Sequence, residues 1–111
     1  MLPKSKRLRS NRDFRRVYAK GRSYVHPLLV LFVLPNPEAE TRFGFSVSKK
    51  LGGAVDRNRL KRRLREVCRA RIKEIKPGFD FVVVARKQLA EADLADMQSA
   101  ADEVFSKARV L

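Results

Sequence analysis

The stretch that most constrains this chain runs from Ser46 to Arg65 and reads SVSKKLGGAVDRNRLKRRLR. Leading into it, Phe43 to Ser48 alternates large and small residues, which is typical of a half-buried strand. A basic connector with two adjacent glycines follows over residues 49–55, and glycine is free to take positive φ. Asp56 then stands where a helix N-cap is expected, so a long helix is predicted to follow.

The predicted helix has an apolar face and a cationic face. At about 3.6 residues per turn, its apolar side carries Leu60, Leu64, Val67, Cys68, Ile72 and Ile75. The opposite side carries Asn58, Arg62, Arg65, Arg69, Lys73 and Lys76. Like charges four residues apart, such as Arg65 and Arg69, destabilise a helix by roughly a few tenths of a kcal/mol, and a bound polyanion would relieve that repulsion. The alternative is a merely solvated face, but such faces usually mix Glu with Lys.

The charge of the chain is high and segregated. Its 111 residues include 26 Lys or Arg and 12 Asp or Glu, which gives a net charge of +14 and a pI of about 10.9. Residues 1–22 hold nine basic residues and one acid, and residues 49–76 hold twelve and three. This excess predicts a nucleic acid or an anionic membrane as partner. Two basic segments that converge in space would form a single anion-binding surface.

A short helix with an aromatic pair is predicted before the first strand. Ser10 or Asn11 can cap this helix, and Phe14, Val17 and Tyr18 share one of its faces. Two interpretations of the aromatic pair stay open. The rings dock the helix on a sheet, or at least one ring is exposed beside arginine and stacks on an unpaired base.

Two strands are predicted after that helix. Leu28 to Leu34 is a nearly continuous apolar run, Arg42 begins the next strand, and the two are expected to pair as an antiparallel hairpin across a loop of about seven residues. In the second strand, Phe43, Phe45 and Val47 face one way, and Gly44, Ser46 and Ser48 face the other. The small, polar second face would let a ligand approach the backbone closely. Simple alternation of buried and solvated residues is the other interpretation.

The remaining elements complete one α+β domain with a small sheet, over residues 1–111. Pro77 and Gly78 end the long helix, and residues 79–85 are predicted to form another strand. A last helix is predicted to begin near Asp93 and to serve as structural cover. Residues 1–9 are predicted to form a basic arm that is mobile when free.

The sequence lacks a catalytic constellation. His26, the only histidine, precedes a proline and has no obvious acidic partner, and GxGxxG, P-loop and CxxC motifs are absent. Cys68 cannot form an internal disulfide and is interpreted as a small buried hydrophobic residue. Without an apolar run of about 18 residues or a secretory signal, the chain is expected to act in the cytoplasm, with no membrane partner.

Residues 43–66 resemble the protein subunit of bacterial ribonuclease P. The signature of that family is matched, in order, by Leu51, Ala54, Arg57, Asn58, Arg59, Leu60, Lys61, Arg62, Leu64 and Arg65. The opening KRLRSNRDFRRVYAKG, the GFSVSKK strand and the VVVARK strand also stand in the order of the family. The resemblance therefore covers most of the chain.

This resemblance implies a fold, a partner and a reaction. The implied fold is αβββαβα, with a small sheet packed by helices and a left-handed crossover through the long helix. The implied partners are the catalytic ribonuclease P RNA and precursor tRNA, whose 5′ leader the holoenzyme removes with magnesium. Because the RNA carries the chemistry and is expected to hold most of the magnesium, the free protein is expected to be inactive. It is also expected to be monomeric.

The resemblance also assigns roles to residues by position. Those expected to bind RNA are Lys49, Lys50, Arg57, Asn58, Arg59, Lys61, Arg62 and Arg65, with Arg69 from the same cationic row. Those expected to line a leader-binding cleft between the first helix and the sheet are Phe14, Tyr18, Ser46 and Ser48. No residue is expected to be catalytic or to bind a metal.

Two other classes of function compete with this expectation. A ribosomal protein or an RNA chaperone would fit the composition, but the signature from Arg57 to Arg65 argues against it. A free-standing nuclease would need an acid–base constellation that the sequence does not show.

Overall fold

A four-stranded sheet with helices on both faces forms the framework of the computed structural model, which describes residues 7, 8 and 10–111. In chain order the elements are α1 (Asn11–Lys20), β1 (Arg22–Val25), β2 (Leu29–Pro35), β3 (Thr41–Ser46), α2 (Ala54–Arg69), β4 (Phe79–Ala85) and α3 (Leu94–Lys107). One 3₁₀ turn, Lys49–Leu51, precedes α2, and another, Lys87–Glu91, precedes α3. The order is the αβββαβα that the resemblance implies.

The strands lie in the order β1-β2-β4-β3, with β4 antiparallel to β2 and parallel to β3. The predicted hairpin between β2 and β3 is therefore wrong, because β4 lies between them. The physical reason is the apolar character of β4. Five of its seven residues are buried, so it is most stable at the centre of the sheet, where both of its faces are covered.

The main core fills the space between the sheet and the helices α2 and α3. Phe43 and Phe81 stack with their ring centroids 4.9 Å apart, and Phe105 of α3 meets Phe81 edge-on at 5.6 Å. Leu60 and Leu64 are buried on the predicted apolar face of α2. Burying a side chain of this size stabilises a fold by about 1.5–3 kcal/mol, so this contact holds α2 with its cationic face outward.

A smaller core lies under α1, on the other face of the sheet. Val17 is fully buried there with Val82 and Leu8. The backbone N–H of Leu8 donates to the carbonyl of Phe43 at 2.8 Å, and Arg7 forms a β-bridge with Phe43. Arg7 and Leu8 therefore lie along β3, whereas the rest of the predicted mobile arm lies outside the described residues.

The start of α2 differs from the sequence prediction. Gly53 is the N-cap, and its carbonyl accepts a hydrogen bond from the N–H of Arg57 at 3.0 Å. Gly52 has a φ of 136°, and this sharp turn lets the helix begin earlier than Asp56. Asp56 lies in the first turn instead, where its charge still favours the positive end of the helix dipole.

α2 ends at Arg69, earlier than the apolar pattern indicates. Ile72 is half-buried and Ile75 is buried in the turns that follow, so apolar contact continues beyond the helix. Two predicted caps are confirmed, because Ser10 and Asp93 each accept a hydrogen bond from the backbone N–H three residues later, at 3.1 and 2.8 Å. No helix in the described part of the chain is long and apolar enough to cross a membrane.

Cys68 lies in the main core, as the sequence predicts. Burial raises the pKa of its thiol to about 12, because a thiolate would lose its hydration there. We expect a thiol-specific reagent to leave the folded protein unlabelled at pH 8 and to react fully in denaturant. The stability that the buried thiol contributes should be lost as the pH rises from roughly 8.5, the pKa of an unfolded cysteine, toward that raised value. Rapid labelling of folded protein would contradict this burial.

Candidate nucleic-acid interface

The outward face of α2 carries most of the residues that the sequence assigns to RNA binding. Asn58, Arg59, Arg62 and Arg69 are exposed, Arg57, Lys61 and Arg65 are half-buried, and Lys49 and Lys50 are exposed on the 3₁₀ turn before the helix. We call these nine residues the cationic surface. The exposure of Asn58, Arg62 and Arg69 follows from the buried stripe of α2, which turns the opposite side of the helix to solvent.

Arg65 is held against the sheet at one edge of the cationic surface. Its guanidinium carbon lies 5.9 Å from the ring centroid of Phe45, which is a cation–π distance. Burial lowers the pKa of Arg65, and the charge of Arg7 lowers it further. The Nε atoms of Arg57 and Arg65 are buried and make no hydrogen bond within the described residues. A bound phosphate would relieve the repulsion between Arg65 and Arg7.

Arg62 stands between two grooves of the cationic surface. A groove of about 430 Å³ is lined by Val55, Asn58, Arg62 and Arg65. A groove of about 610 Å³ is lined by Arg59, Arg62, Arg63, Glu66, Asp93 and Leu94. Arg69 donates a hydrogen bond to Glu66 at 3.1 Å. Exposed ion pairs of this kind contribute only about 0–1 kcal/mol, so Arg69 can exchange Glu66 for a phosphate.

A second surface, the cleft between α1 and the end of β3, carries the aromatic pair. Phe14 is half-buried over Gly44, so close that a Cβ on Gly44 would lie 2.5 Å from the tip of the ring. Tyr18 is 39% exposed and meets Phe32 edge-on with centroids 5.0 Å apart. The docking interpretation is confirmed for Phe14, and stacking of a ring on an unpaired base stays a prediction. Phe14 docks α1 on the sheet, and both rings border an open cleft of about 420 Å³.

The structure brings three of the four predicted cleft residues together. The cleft is lined by Phe14, Tyr18 and Ser46, with Asn11 and Arg15. Ser48 lies outside this lining, because its hydroxyl accepts a hydrogen bond from the backbone N–H two residues later, at 3.2 Å, and caps the 3₁₀ turn. Sequence reasoning missed Asn11 and Arg15, although their spacing of four residues, like that of the aromatic pair, indicates a shared helix side.

The cationic surface and the cleft meet at the carboxyl end of β3. Phe45 lies beneath Arg65 on the core face, and the next residue, Ser46, lines the cleft on the opposite face, because successive strand residues alternate. Within residues 7, 8 and 10–111, no group of three His, Cys, Asp or Glu side chains could hold a metal ion. A polycationic helix beside an aromatic cleft is typical of proteins that bind nucleic acid with unpaired bases.

Comparison with known proteins identifies one family among the proteins that bind nucleic acid. The Ribonuclease P family model matches residues 2–109. A ribonuclease P protein component from Herpetosiphon aurantiacus is 42% identical over 109 residues, which cover 98% of this chain and 89% of that protein. One from Clostridium botulinum is 41% identical over 108 residues, which cover 96% of this chain and 97% of that protein.

Two solved structures share the fold. The RNase P protein of Staphylococcus aureus has a TM-score of 0.88 at 36% identity and covers 96% of this chain and 98% of its own. The RNase P protein of Thermotoga maritima has a TM-score of 0.84 at 33% identity, with coverages of 91% and 96%. The chain belongs to the ribonuclease P protein family, whose members are RNA-binding subunits of an endoribonuclease that processes the 5′ end of tRNA.

Proposed function

We propose that this chain binds the catalytic RNA of ribonuclease P through the cationic surface and holds the 5′ leader of precursor tRNA in the cleft beside α1. The observation that carries this division of roles is the contrast between the two surfaces. One consists almost wholly of cations, whereas the other combines two aromatic rings with Ser46 and Arg15. Because the surfaces adjoin at the end of β3, both RNAs can be held at once.

The cationic surface suits a folded RNA. Eight of its nine residues are Lys or Arg, and within the described part of the chain only Arg69 among them is paired with an acid. Each cation that neutralises a phosphate releases counterions, so log affinity should fall by roughly 0.7–0.9 per log unit of salt for each contact. Such contacts recognise backbone and shape rather than sequence, as a structured RNA partner requires.

The cleft suits a single strand. Unpaired bases stack on aromatic rings with roughly 1–3 kcal/mol per base, and Phe14 and Tyr18 both face the open space. Arg15 on the same wall can neutralise a leader phosphate. Neither stacking nor charge neutralisation reads sequence strongly, so a cleft of this kind accepts the leaders of many precursor tRNAs.

The magnesium that the reaction uses is held mainly by the RNAs. The cationic surface repels a divalent cation, and the cleft adds one arginine and no carboxylate. Phosphate oxygens, in contrast, are ligands that magnesium prefers. The protein therefore contributes binding and orientation, and the RNA performs the hydrolysis. The protein acts in the cytoplasm. It is monomeric before assembly, because a second copy would carry the same positive charge and be repelled.

The direct test is cleavage of precursor tRNA by a bacterial ribonuclease P RNA at low magnesium, with and without this protein. We expect clear rescue by the protein, because its cations replace part of the screening that magnesium otherwise supplies. No rescue, together with tight and salt-sensitive RNA binding, would contradict the role and leave a general RNA-binding protein. Magnesium-dependent cutting by the protein alone that survives Arg62→Ala would instead indicate a nuclease.

A further inference from the structure

Asp80 is a fully buried carboxylate near the start of β4, on the sheet face that α1 covers. Its Oδ1 accepts hydrogen bonds from Nε of Arg42 at 2.8 Å and from Nδ2 of Asn36 at 3.0 Å. Its Oδ2 accepts from Nη2 of Arg42 at 3.0 Å and from Nη2 of Arg16 at 2.6 Å. These bonds satisfy both oxygens, as a buried carboxylate requires, and the bond to Asp80 is the main cause that raises the pKa of Arg42.

Arg16 connects this cluster to the helix of the cleft. Arg42 belongs to β3 and Asn36 to the loop after β2, so among the three partners of Asp80 only Arg16 lies on a helix. Arg16 is two residues from both Phe14 and Tyr18, which is about 200° around the helix axis. It therefore lies on the flank of α1 opposite to the rings, and the buried Val17 lies between the two flanks.

The two flanks of α1 rest on different parts of the sheet. Asp80 is in register with Arg42 on β3, whereas Gly44, which lies under Phe14, is in register with Val82. One flank is thus held by an ion pair, and the other by contact between a ring and the backbone. Without the Arg16 ion pair, only Val17 and the flank with the rings would hold α1, and the helix could roll about its own axis.

We propose that Asp80 is a positioning residue for leader binding. Through Arg16 it fixes the roll of α1, and so the position of Phe14 and Tyr18 relative to Ser46 across the cleft. This inference rests on the leader site proposed above. Because Asp80 is buried, it touches no RNA itself, and its loss should affect the leader while the cationic surface stays unchanged.

The test measures how strongly the reconstituted holoenzyme prefers precursor tRNA with a leader over tRNA without one, in Asp80→Asn and Arg16→Met proteins. The readout is the dissociation constant for tRNA without a leader divided by that for tRNA with a leader. We expect each substitution to lower that ratio about fivefold, the size of one weakened base stack. Affinity for tRNA without a leader, and for the catalytic RNA, should stay within about twofold of wild type.

The sign of the Asp80→Asn effect separates positioning from electrostatics. This substitution makes the protein more positive, so electrostatics alone predicts tighter RNA binding, whereas positioning predicts weaker binding of the leader. Arg16→Met guards against a failure to fold, because Asp80 then keeps its bonds to Arg42 and Asn36. The salt dependence of leader binding should not change in Arg16→Met. A fall of about 0.7 in the slope would reveal a direct phosphate contact and overturn the role.

Asp102→Asn is the matched control. It removes a carboxylate that pairs with Arg71 at 2.6 Å, on the side of the sheet away from α1, and it should leave the ratio unchanged. If Phe14→Ala lowers the ratio but neither test variant does, or if both variants lose both ligands equally, the positioning role is overturned and the leader site stands. A wild-type holoenzyme with no preference for a leader would overturn the proposed function, and this inference with it.

Discussion

Replacing Arg62 and Arg65 together by alanine is expected to weaken binding of the catalytic RNA roughly thirtyfold at about 0.15 M salt, because each lost phosphate contact removes roughly a five- to sixfold gain from counterion release. Arg62 is exposed between the two grooves, and Arg65 is held over Phe45. Neither side chain lies in the buried core, so the fold should persist. The slope of log affinity against log salt should fall by about 1.4–1.8, which is the contribution of two phosphate contacts.

The control for this double variant removes one cation at the end of α3 and one just beyond it, as Lys107→Ala with Arg109→Ala. It changes the net charge by the same amount but leaves the cationic surface intact, so its salt slope should match that of wild type. Fluorescence anisotropy with labelled RNA at several salt concentrations measures both quantities. Equal losses in the two double variants would mean that net charge, and not the placement of Arg62 and Arg65, determines binding.

The outward placement of Asn58, Arg62 and Arg69 could be predicted from local periodicity, whereas Lys49, Lys50, Arg57, Arg59 and Lys61 were assigned by the family resemblance. Leu60 and Leu64 must be buried for α2 to pack, and the helix geometry then turns Arg62 to solvent. The alternation of residues in a strand likewise predicts that Phe43 and Phe45 share one side of β3. Each of these inferences uses neighbours within a few residues along the chain, and the structure confirms those buried faces.

Strand pairing could not be predicted in this way. A continuous apolar run identifies β2 as a strand, and alternation identifies β3. Their partners, however, depend on which strand gains most from the central position. That strand is β4, which comes much later in the chain. Ser48 illustrates a related limit. The alternation of residue types continues to Ser48, whereas the strand ends at Ser46 and Ser48 caps the 3₁₀ turn that follows.

One feature of the sequence indicates the Asp80 cluster. An acid within the apolar strand FDFVVVA must be exposed or paired, because a buried unpaired carboxylate is strongly destabilising. The sequence could not name its partners, since Arg16 and Arg42 lie 64 and 38 residues away along the chain. Contacts of that separation follow from the topology of the sheet, which local patterns do not determine.

Gly44→Ala is expected to lower the preference of the holoenzyme for leader-bearing tRNA about tenfold, the value of one lost base stack. The new Cβ would lie 2.5 Å from Cζ of Phe14 and within 3.0 Å of the two adjacent ring atoms. The ring is the free end of a side chain, so we expect it to swing away while the sheet keeps its place. Alanine is also better tolerated than glycine inside a strand, so the stability of the fold should not fall appreciably.

A double-variant cycle tests this mechanism. If Gly44→Ala acts by displacing the ring, it should have no further effect in a Phe14→Ala protein, where no ring remains to be displaced. Gly53→Ala serves as the control, because a Cβ there meets nothing within 4 Å, and it should leave the preference unchanged. Additive losses in the Gly44→Ala, Phe14→Ala double variant would contradict the mechanism. In that case the backbone at Gly44 would contact the leader directly, and the position of Phe14 would not depend on the absence of a Cβ at residue 44.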